Sequence, residues 1–531
     1  MNARASLGLS ALLLALGAVA ACSSSDASSD VAGGSFAAPH DGVGGGSHVG
    51  TTTGTTSATW GAGGSGQGGS AATTTSTTTT SAGGAAPTTS AGGAGGAGGA
   101  DACAGLDQSK PLTLYLSADD SNSMGSPVYA REMLKLGRAP YAGVRTYEFL
   151  NYYRIAYAAP QKPNLAILPE LAEGSQKGDL DLSIGIRSYD AIHPRRPMTI
   201  TFVLDTSGSM GGYGIARERA AVKAIASQLA EGDVVSMVLW NTDQAVVLSG
   251  HAATGPNDPT VVAAADALNA DGSTDLSNGL KTGYSLAQKH YGAQRLNRVI
   301  LVSDGGANVG VTDGDLIGAS SKDADKEGIY LVGVGTGPAE NYNDGLMDIV
   351  TDKGRGAYVY LDGPAEAARV LGERFDEVME VAARGVQVEL VVPWYLQMVK
   401  FSGEEYSQNP EEVEPQHLAP SDAMVFDQVL RACDPALVNP EDTVKVTARW
   451  QEPMTREKME TSVEVKVGDL LAGPTGHLRK AKAIVAYAEA LKTGEQATLH
   501  AAHDLVVAAN EGGTDPELTE IAGLVALHPN Y

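Results

Sequence analysis

Met198-Thr-Ile-Thr-Phe-Val-Leu204 runs directly into Asp205-Thr-Ser207-Gly-Ser209-Met210. The first stretch is apolar or β-branched throughout and reads as a strand buried on both faces. It ends in Asp-x-Ser-x-Ser, which places three oxygen-bearing side chains on one loop. Open α/β sheets bind their ligands at the C-terminal ends of such strands. An all-oxygen shell suits Mg²⁺ or Mn²⁺, with Ca²⁺ as a third candidate. Two hydroxyls in place of carboxylates leave the cation under-neutralised, so it still attracts a carboxylate from outside. The same residues also read as a strand end followed by a Ser/Asp helix N-cap.

Two later segments bear on that choice. Asp271-Gly-Ser-Thr274-Asp-Leu-Ser-Asn-Gly is a turn leading into a helix, and Asn297-Arg-Val-Ile-Leu-Val-Ser303 is a second buried strand, ending in Asp304-Gly-Gly. In this order the three pieces resemble the metal-ion-dependent adhesion site of von Willebrand factor type A domains. The resemblance spans roughly residues 196–362. It implies direct metal contacts from Ser207, Ser209 and Thr274, with Asp205 and Asp304 holding the cation through water or directly. Over about 110–520 the chain resembles a bacterial subgroup of envelope-anchored lipoproteins with such a domain. Val144-Arg-Thr-Tyr-Glu-Phe-Leu-Asn-Tyr-Tyr153 and Asp304-Gly-Gly-Ala-Asn-Val-Gly310 carry that likeness.

Around the motif, apolar strands alternate with helical patterns, which predicts a doubly wound, mostly parallel sheet. The expected elements are strand 198–204, helix 214–230, strand 233–240 with a hairpin edge at Gln244–Leu248, and helices at about 259–269 and 276–290. Strand 297–303, helix 313–327, strand 329–334, helix 343–352 and a last strand near 357–360 follow. A long helix is expected over 363–380. The flanks instead alternate with period two: Leu112, Leu114, Leu116; Leu180, Leu182, Ile184, Ile186; Val386, Val388, Leu390, Val392; Val444, Val446, Ala448, Trp450; and Val463, Val465, Val467. That pattern belongs to half-exposed antiparallel strands. Neither flank holds enough of them alone, so both are expected to build one β-rich domain into which the central domain is inserted. The expected organisation is therefore 106–195 and 363–531 as β-rich flanks, the latter with terminal helices, around a central domain at 196–362. The amphipathic helix 477–493 is expected to pack on the β domain.

The N-terminus reads as a leader. Met1-Asn-Ala-Arg4, an apolar run from Leu7 to Val19 and the small residues before Cys22 form a secretion signal over 1–21. Val19-Ala20-Ala21-Cys22-Ser23 resembles a bacterial lipoprotein box, which implies a lipid on Cys22 and anchoring in the cell envelope. Ser23 favours the outer over the inner membrane under the same resemblance. Residues 22–105 are then a Gly/Ala/Ser/Thr tether with few large apolar side chains to offset backbone entropy. About 80 such residues span roughly 50 Å r.m.s..

A formal charge of −25, from 62 acidic and 37 basic residues, argues against nucleic acid and anionic headgroups as partners. The only membrane contact expected is the lipid anchor. Beyond Cys22, Cys103 and Cys433 are either a disulfide or two unrelated thiols. Asp119-Asp-Ser121-Asn-Ser123-Met124 repeats the Asp-x-Ser-x-Ser pattern but has no matching Thr turn, and reads as the cap of a helix at about 127–136. Catalysis is not expected. Ser207 lacks a Gly-x-Ser-x-Gly setting, no His is placed as a base, and His290 and His477 lie on ordinary helical patterns. The function read from the chain is divalent-metal-dependent binding of a protein partner that presents Asp or Glu. A tethered scaffold with a purely structural metal, or a metal-dependent envelope hydrolase, are the other readings.

Overall fold

The structure is a computed structural model describing residues 102–119, 123–141, 143–306 and 328–531. The leader, Cys22, the tether to Ala100 and the helix expected over 313–327 lie outside the described residues.

The first flank contributes strand β1 (Leu112–Ser117), helices α1 (Gly125–Lys135) and α2 (Thr146–Tyr152), and strands β2 (Ala166–Glu173) and β3 (Asp179–Arg187). The central part runs β4 (Met198–Asp205), α3 (Tyr213–Ala226), β5 (Val234–Trp240), β6 (Gln244–Ala252), α4 (Pro259–Asp266), α5 (Leu276–Lys289), β7 (Leu296–Ser303), β8 (Ile329–Gly335), α6 (Asp344–Gly354) and β9 (Arg355–Tyr360). These strands form one sheet in the order β6-β5-β4-β7-β8-β9. Every pair in it is parallel except β5 with β6. The fold is thus α/β with a mostly parallel central sheet, to which antiparallel sheets are added. Every residue of β4, β7 and β8 is buried, as helices on both faces require.

Between the central part and the second flank, the expected long helix is broken. Helix α7 (Pro364–Ala368) passes through a π-helical turn, Arg369–Glu373, into α8 (Phe375–Met379). Just after that turn the buried Arg374 donates to the carbonyls of Tyr152 and Asn151 at 3.0 and 3.2 Å, so a tertiary contact competes with helical register.

The second flank supplies β10 (Ala383–Val392), β11 (Leu396–Phe401), β12 (Glu405–Ser407), β13 (Gln416–Leu418), β14 (Ala423–Ala432), β15 (Thr443–Gln451) and β16 (Lys458–Lys466). Helices α9 (Val467–Leu471), α10 (Gly476–Thr493), α11 (Gln496–Ala509) and α12 (Pro516–Ala526) close the chain. Its strands pair with those of the first flank in two antiparallel sheets. One is ordered β12-β1-β10-β15-β16 with β13 on β10, the other β11-β14-β3-β2. Leu114, Leu116, Leu182, Ile184, Val388, Leu390, Phe426 and Val446 fill the space between them. Cys103 and Cys433 are disulfide-bonded across a sequence separation of 330, tying the start of the first flank to the second. Among the described residues no helix is long and apolar enough to cross a membrane.

The second Asp-x-Ser-x-Ser stretch is corrected in one respect. Helix α1 starts at Gly125, its N-cap is Met124, and no side chain caps it. Residues 120–122 of that stretch lie outside the described set. His290 and His477 hold ordinary packing positions, against Ser249 Oγ at 3.2 Å and Glu170 Oε1 at 2.8 Å.

Helix α10 covers the outer face of the β11-β14-β3-β2 sheet, and that face is acidic. Lys482 pairs with Asp181, and Glu170 accepts from the Leu478 N–H at 2.9 Å. Asp427 on β14 is buried beside them, with Oδ1 lacking a donor. Desolvation lifts its carboxyl from 3.8 to about 7, with Asp181 adding to the rise while Lys482 and Lys400 oppose it. The folded chain therefore holds this proton more tightly than the unfolded one. The contribution to stability is complete below about pH 4 and is lost as pH rises through about 7. Asp427→Asn, which needs no ionisation, is expected to raise the melting temperature more at pH 8 than at pH 5. At roughly 1.4 kcal/mol per pKa unit, the difference is on the order of a few kcal/mol. Equal gains at both pH values would show that Asp427 does not titrate in this way.

Candidate metal centre

Strands β4 and β7 lie side by side in the middle of the sheet, and β4 leads on to β5 on its other side. This is a topological switch point, and both candidate carboxylates stand at the C-terminal ends of the two strands. Asp205 is the last residue of β4 and is 0% exposed. Its Oδ1 accepts the Ser207 N–H at 3.0 Å and its Oδ2 accepts the Ser303 hydroxyl at 2.7 Å. Ser303 in turn accepts the Gly305 N–H at 3.0 Å, so one hydroxyl fixes the ends of both strands. Burial pushes the Asp205 carboxyl up to about 6, against the pull of the Ser303 and Ser207 hydrogen bonds, and Asp304 adds to the rise.

The loop after β4 turns through a short 3₁₀ segment, Gly208–Met210. Ser207 is buried and Ser209 exposed, with their hydroxyls 3.1 Å apart. Neighbouring ligands of an octahedral Mg²⁺ at about 2.1 Å stand about 3.0 Å from each other, so this spacing fits two adjacent positions on one ion. Asp304, 7% exposed, accepts the Gly306 N–H at 2.7 Å. A Cβ on Gly306 would lie 2.7 Å from Asp304 Oδ1 and 3.5 Å from Ser209 Oγ, which puts the Asp304 carboxylate and the Ser209 hydroxyl around one small space.

The third piece is the turn before α5. Asp271 N–H donates to Thr206 O at 2.8 Å, and Gly208 N–H donates to Gly272 O at 3.1 Å. These bonds lay the turn along the Asp205–Ser209 loop. Thr274 follows two residues later, half-buried, just ahead of the α5 cap Asp275. Asp205, Ser207, Ser209 and Asp304 are thus drawn together by direct hydrogen bonds and close approaches, and Thr274 arrives with its turn.

The back of the Asp304 loop is built tightly. Asn343 N–H donates to Asp304 O at 3.2 Å, and Gly305 has φ +73° with Asn343 O only 2.7 Å from where a Cβ would sit. No L side chain takes that conformation and that space together. Among the described residues no group of three or more His, Cys, Asp and Glu side chains is arranged to hold an ion. The candidate set is instead two carboxylates with three hydroxyls, all hard oxygen donors.

Two residues of this region were not singled out from the sequence. Ser303 was read only as the end of a strand. Glu218 on α3 is 0% exposed, and neither of its oxygens has a donor in hydrogen-bond geometry. Burial first, then the Asp205 carboxylate, hold its carboxyl well above the usual carboxylate range. The signal was present: Glu218 falls between Ile215 and Val222 on the buried stripe of its helix.

Residues 199–370 match the von Willebrand factor type A domain. Among curated proteins, the chain is 26% identical over 410 residues to the uncharacterized protein YfbK of Escherichia coli K12, covering 70% of each chain. It is 26% identical over 202 residues to human inter-alpha-trypsin inhibitor heavy chain H3, spanning 37% of this chain and 22% of that one. Among solved structures, a von Willebrand factor type A protein from Catenulispora acidiphila aligns with a TM-score of 0.44 and 16% identity, over 69% of this chain and 91% of the other.

Proposed function

Taking residues 199–370 as the von Willebrand factor type A domain they form, we propose that this protein binds another protein through a divalent cation at the head of the central sheet. Asp205, Ser207, Ser209, Thr274 and Asp304 are the residues that would hold the cation. Mg²⁺ is the favoured ion, Mn²⁺ the next, and Ca²⁺ the third candidate. Bound there, the ion supplies a hard Lewis-acid contact for a partner's Asp or Glu. The observation that carries this reading is the 3.1 Å spacing of the Ser207 and Ser209 hydroxyls beside two buried strand-end carboxylates.

The chain's own residues prepare the contact. Ser303 fixes Asp205, and Gly306 fixes Asp304, so neither carboxylate has to reorganise. Ser209 is exposed, and Tyr213, 73% exposed at the start of α3, stands at the end of the Gly211–Gly212 arch. An exposed aromatic residue beside a charged centre is a favourable anchor for a partner side chain. The loops Gly211–Tyr213 and Asn241–Gln244 then set specificity. The arrangement suits gripping a ligand better than activating water, so we read the protein as a binding protein and not as an enzyme. The sequence supports Cys22 as a lipid anchor in the cell envelope, with the outer membrane favoured.

The test is affinity capture from an envelope extract in Mg²⁺ and in EDTA, with wild type and Thr274→Ala. A partner retained only by wild type in Mg²⁺ is the expected result. A partner that stays in EDTA and on the variant would move the binding surface to the β-rich flanks. In the same cells Cys22→Ser is expected to release the chain from the membrane fraction, and a variant still sedimenting with membranes would remove the anchor.

A further inference from the structure

The stretch Val144–Tyr153 lies outside residues 199–370, yet its first charged residue reaches into the central part of the chain. Arg145, at the N-cap of α2, is largely buried and surrounded by acids. Its Nη1 and Nη2 donate to the two oxygens of Asp344 at 2.5 and 3.0 Å, and its Nε donates to Glu148. Asp348 stands 3.6 Å from the same Nε. The clamp is itself anchored on α1. The Arg145 N–H donates to Ser126 Oγ at 3.0 Å, and Glu148 accepts the Ser126 N–H at 2.6 Å. A two-pronged guanidinium–carboxylate contact fixes orientation as well as distance.

Asp344 is the first residue of α6, and the residue before it supports the Asp304 loop. Asn343 caps α6 by accepting the Leu346 N–H at 3.3 Å, and its own N–H donates to Asp304 O at 3.2 Å. Its O and Cβ stand 2.7 and 2.9 Å from where a Cβ on Gly305 would sit, so the two segments meet without slack. Tyr358 Oη adds a second hold on Asp344 Oδ1, at 2.6 Å. A displacement of Asp344 therefore passes through one planar peptide to Asn343, and from there to the backbone of Asp304 and Gly305. Without Arg145, the carboxylates of Asp344, Glu148 and Asp348 lose the cation they share, and like charges push the first turn of α6 away from α2.

We infer that Arg145 is a positioning residue for the cation site: by clamping Asp344 it seats Asn343 behind the Asp304 loop. The first flank thereby sets how tightly the head of the central sheet holds a divalent ion. The inference rests on the metal-site reading above. Groups that orient the residues touching a metal change its affinity about 10- to 100-fold when they are lost.

The test is titration of the full chain with Mn²⁺ alone, read by electron paramagnetic resonance, beside thermal melts in EDTA. Arg145→Met is expected to bind Mn²⁺ about tenfold more weakly than wild type. Arg145→Lys, which restores the charge but not the two-pronged contact, is expected to recover part of that loss. If Arg145 acts through Asp344, the double variant Arg145→Met with Asp344→Asn binds Mn²⁺ no more weakly than Arg145→Met alone. Thr146→Ala serves as the control for general loosening, because Thr146 bonds to Glu489 and not to α6. Its Mn²⁺ affinity is expected to match wild type. A folded Arg145→Met protein with Mn²⁺ affinity within about threefold of wild type overturns the inference and leaves the metal site standing. Equal weakening in Thr146→Ala, or losses that simply add in the double variant, also overturns it. Should Arg145→Met not fold, Asp344→Asn decides by the same tenfold and threefold margins. A wild-type chain that takes up no Mn²⁺ removes the metal-site reading itself, and this inference with it.

Discussion

Asp304→Ala is expected to lower Mg²⁺ affinity by at least about 100-fold, the upper end of what losing even an outer partner of a metal site costs. Asp304 stands at the head of β7, and its Oδ1 is held by the Gly306 N–H at 2.7 Å, next to the Ser209 hydroxyl. Removing it leaves one strand-end carboxylate and three hydroxyls. Neutral hydroxyls compete poorly with water for Mg²⁺, an ion that gives up its hydration reluctantly. The fold is expected to tolerate the change. Among the described residues the Asp304 side chain accepts one hydrogen bond, from the Gly306 N–H, and its charge works against the buried Asp205. Calorimetric titration with Mg²⁺, beside thermal melts in EDTA, separates the two effects. An Asp304→Ala protein that melts like wild type and binds Mg²⁺ within about threefold of it would end the metal-site reading; ordinary outer-partner losses exceed that margin.

The second large effect concerns the flanks. A fragment containing only residues 375–531 is expected not to fold cooperatively. In the intact chain β10 pairs with β1 from Leu112↔Val392 to Leu116↔Val388, and β14 pairs with β3 from Ala423↔Arg187 to Arg431↔Asp179. The fragment loses β1, β2 and β3, so the four-stranded sheet is reduced to β11 and β14. Leu182, Ile184 and Ile186, all fully buried, vanish from the space between the sheets. Two strands without that face fall below what stays folded in water. Circular dichroism during thermal and urea unfolding reads this directly, and a single cooperative transition in the fragment would contradict the shared sandwich. Adding residues 102–195 in trans is expected to restore part of the structure, because the missing pairings are then available again.

The central sheet was largely legible. Uninterrupted apolar runs at β4, β7 and β8 signal strands buried on both faces, and the helices between them follow the 3.6-residue period. The flanks were only half legible. Strands β10, β15 and β16 alternate openly. Strand β14 hides its alternation, because Gln428 interrupts the inner face of Met424, Phe426 and Leu430 while Val425 and Val429 occupy the other. Helix α10 covers that outer face, so apolar and acidic residues both survive there. The break in the helix after Gly363 depends on Arg374 reaching α2, which no local pattern records.

By itself the sequence determined the strand, the oxygen-bearing loop and the helix around Asp205, and the candidate residues Ser207, Ser209, Thr274 and Asp304. The strand, the loop and the helix follow from local periodicity and from side-chain chemistry within a few residues, whereas Thr274 and Asp304 became candidates through the resemblance to von Willebrand factor type A domains. The tertiary structure alone decided which distant strands share a sheet, that Ser303 clamps Asp205, and that Glu218 on α3 is fully buried. Pairing across more than 200 residues, as between β3 and β14, depends on which surfaces are left to bury once the central domain has formed. The environment of a single buried carboxylate depends on which neighbour's charge is already spent. Neither is a property of any short stretch of chain.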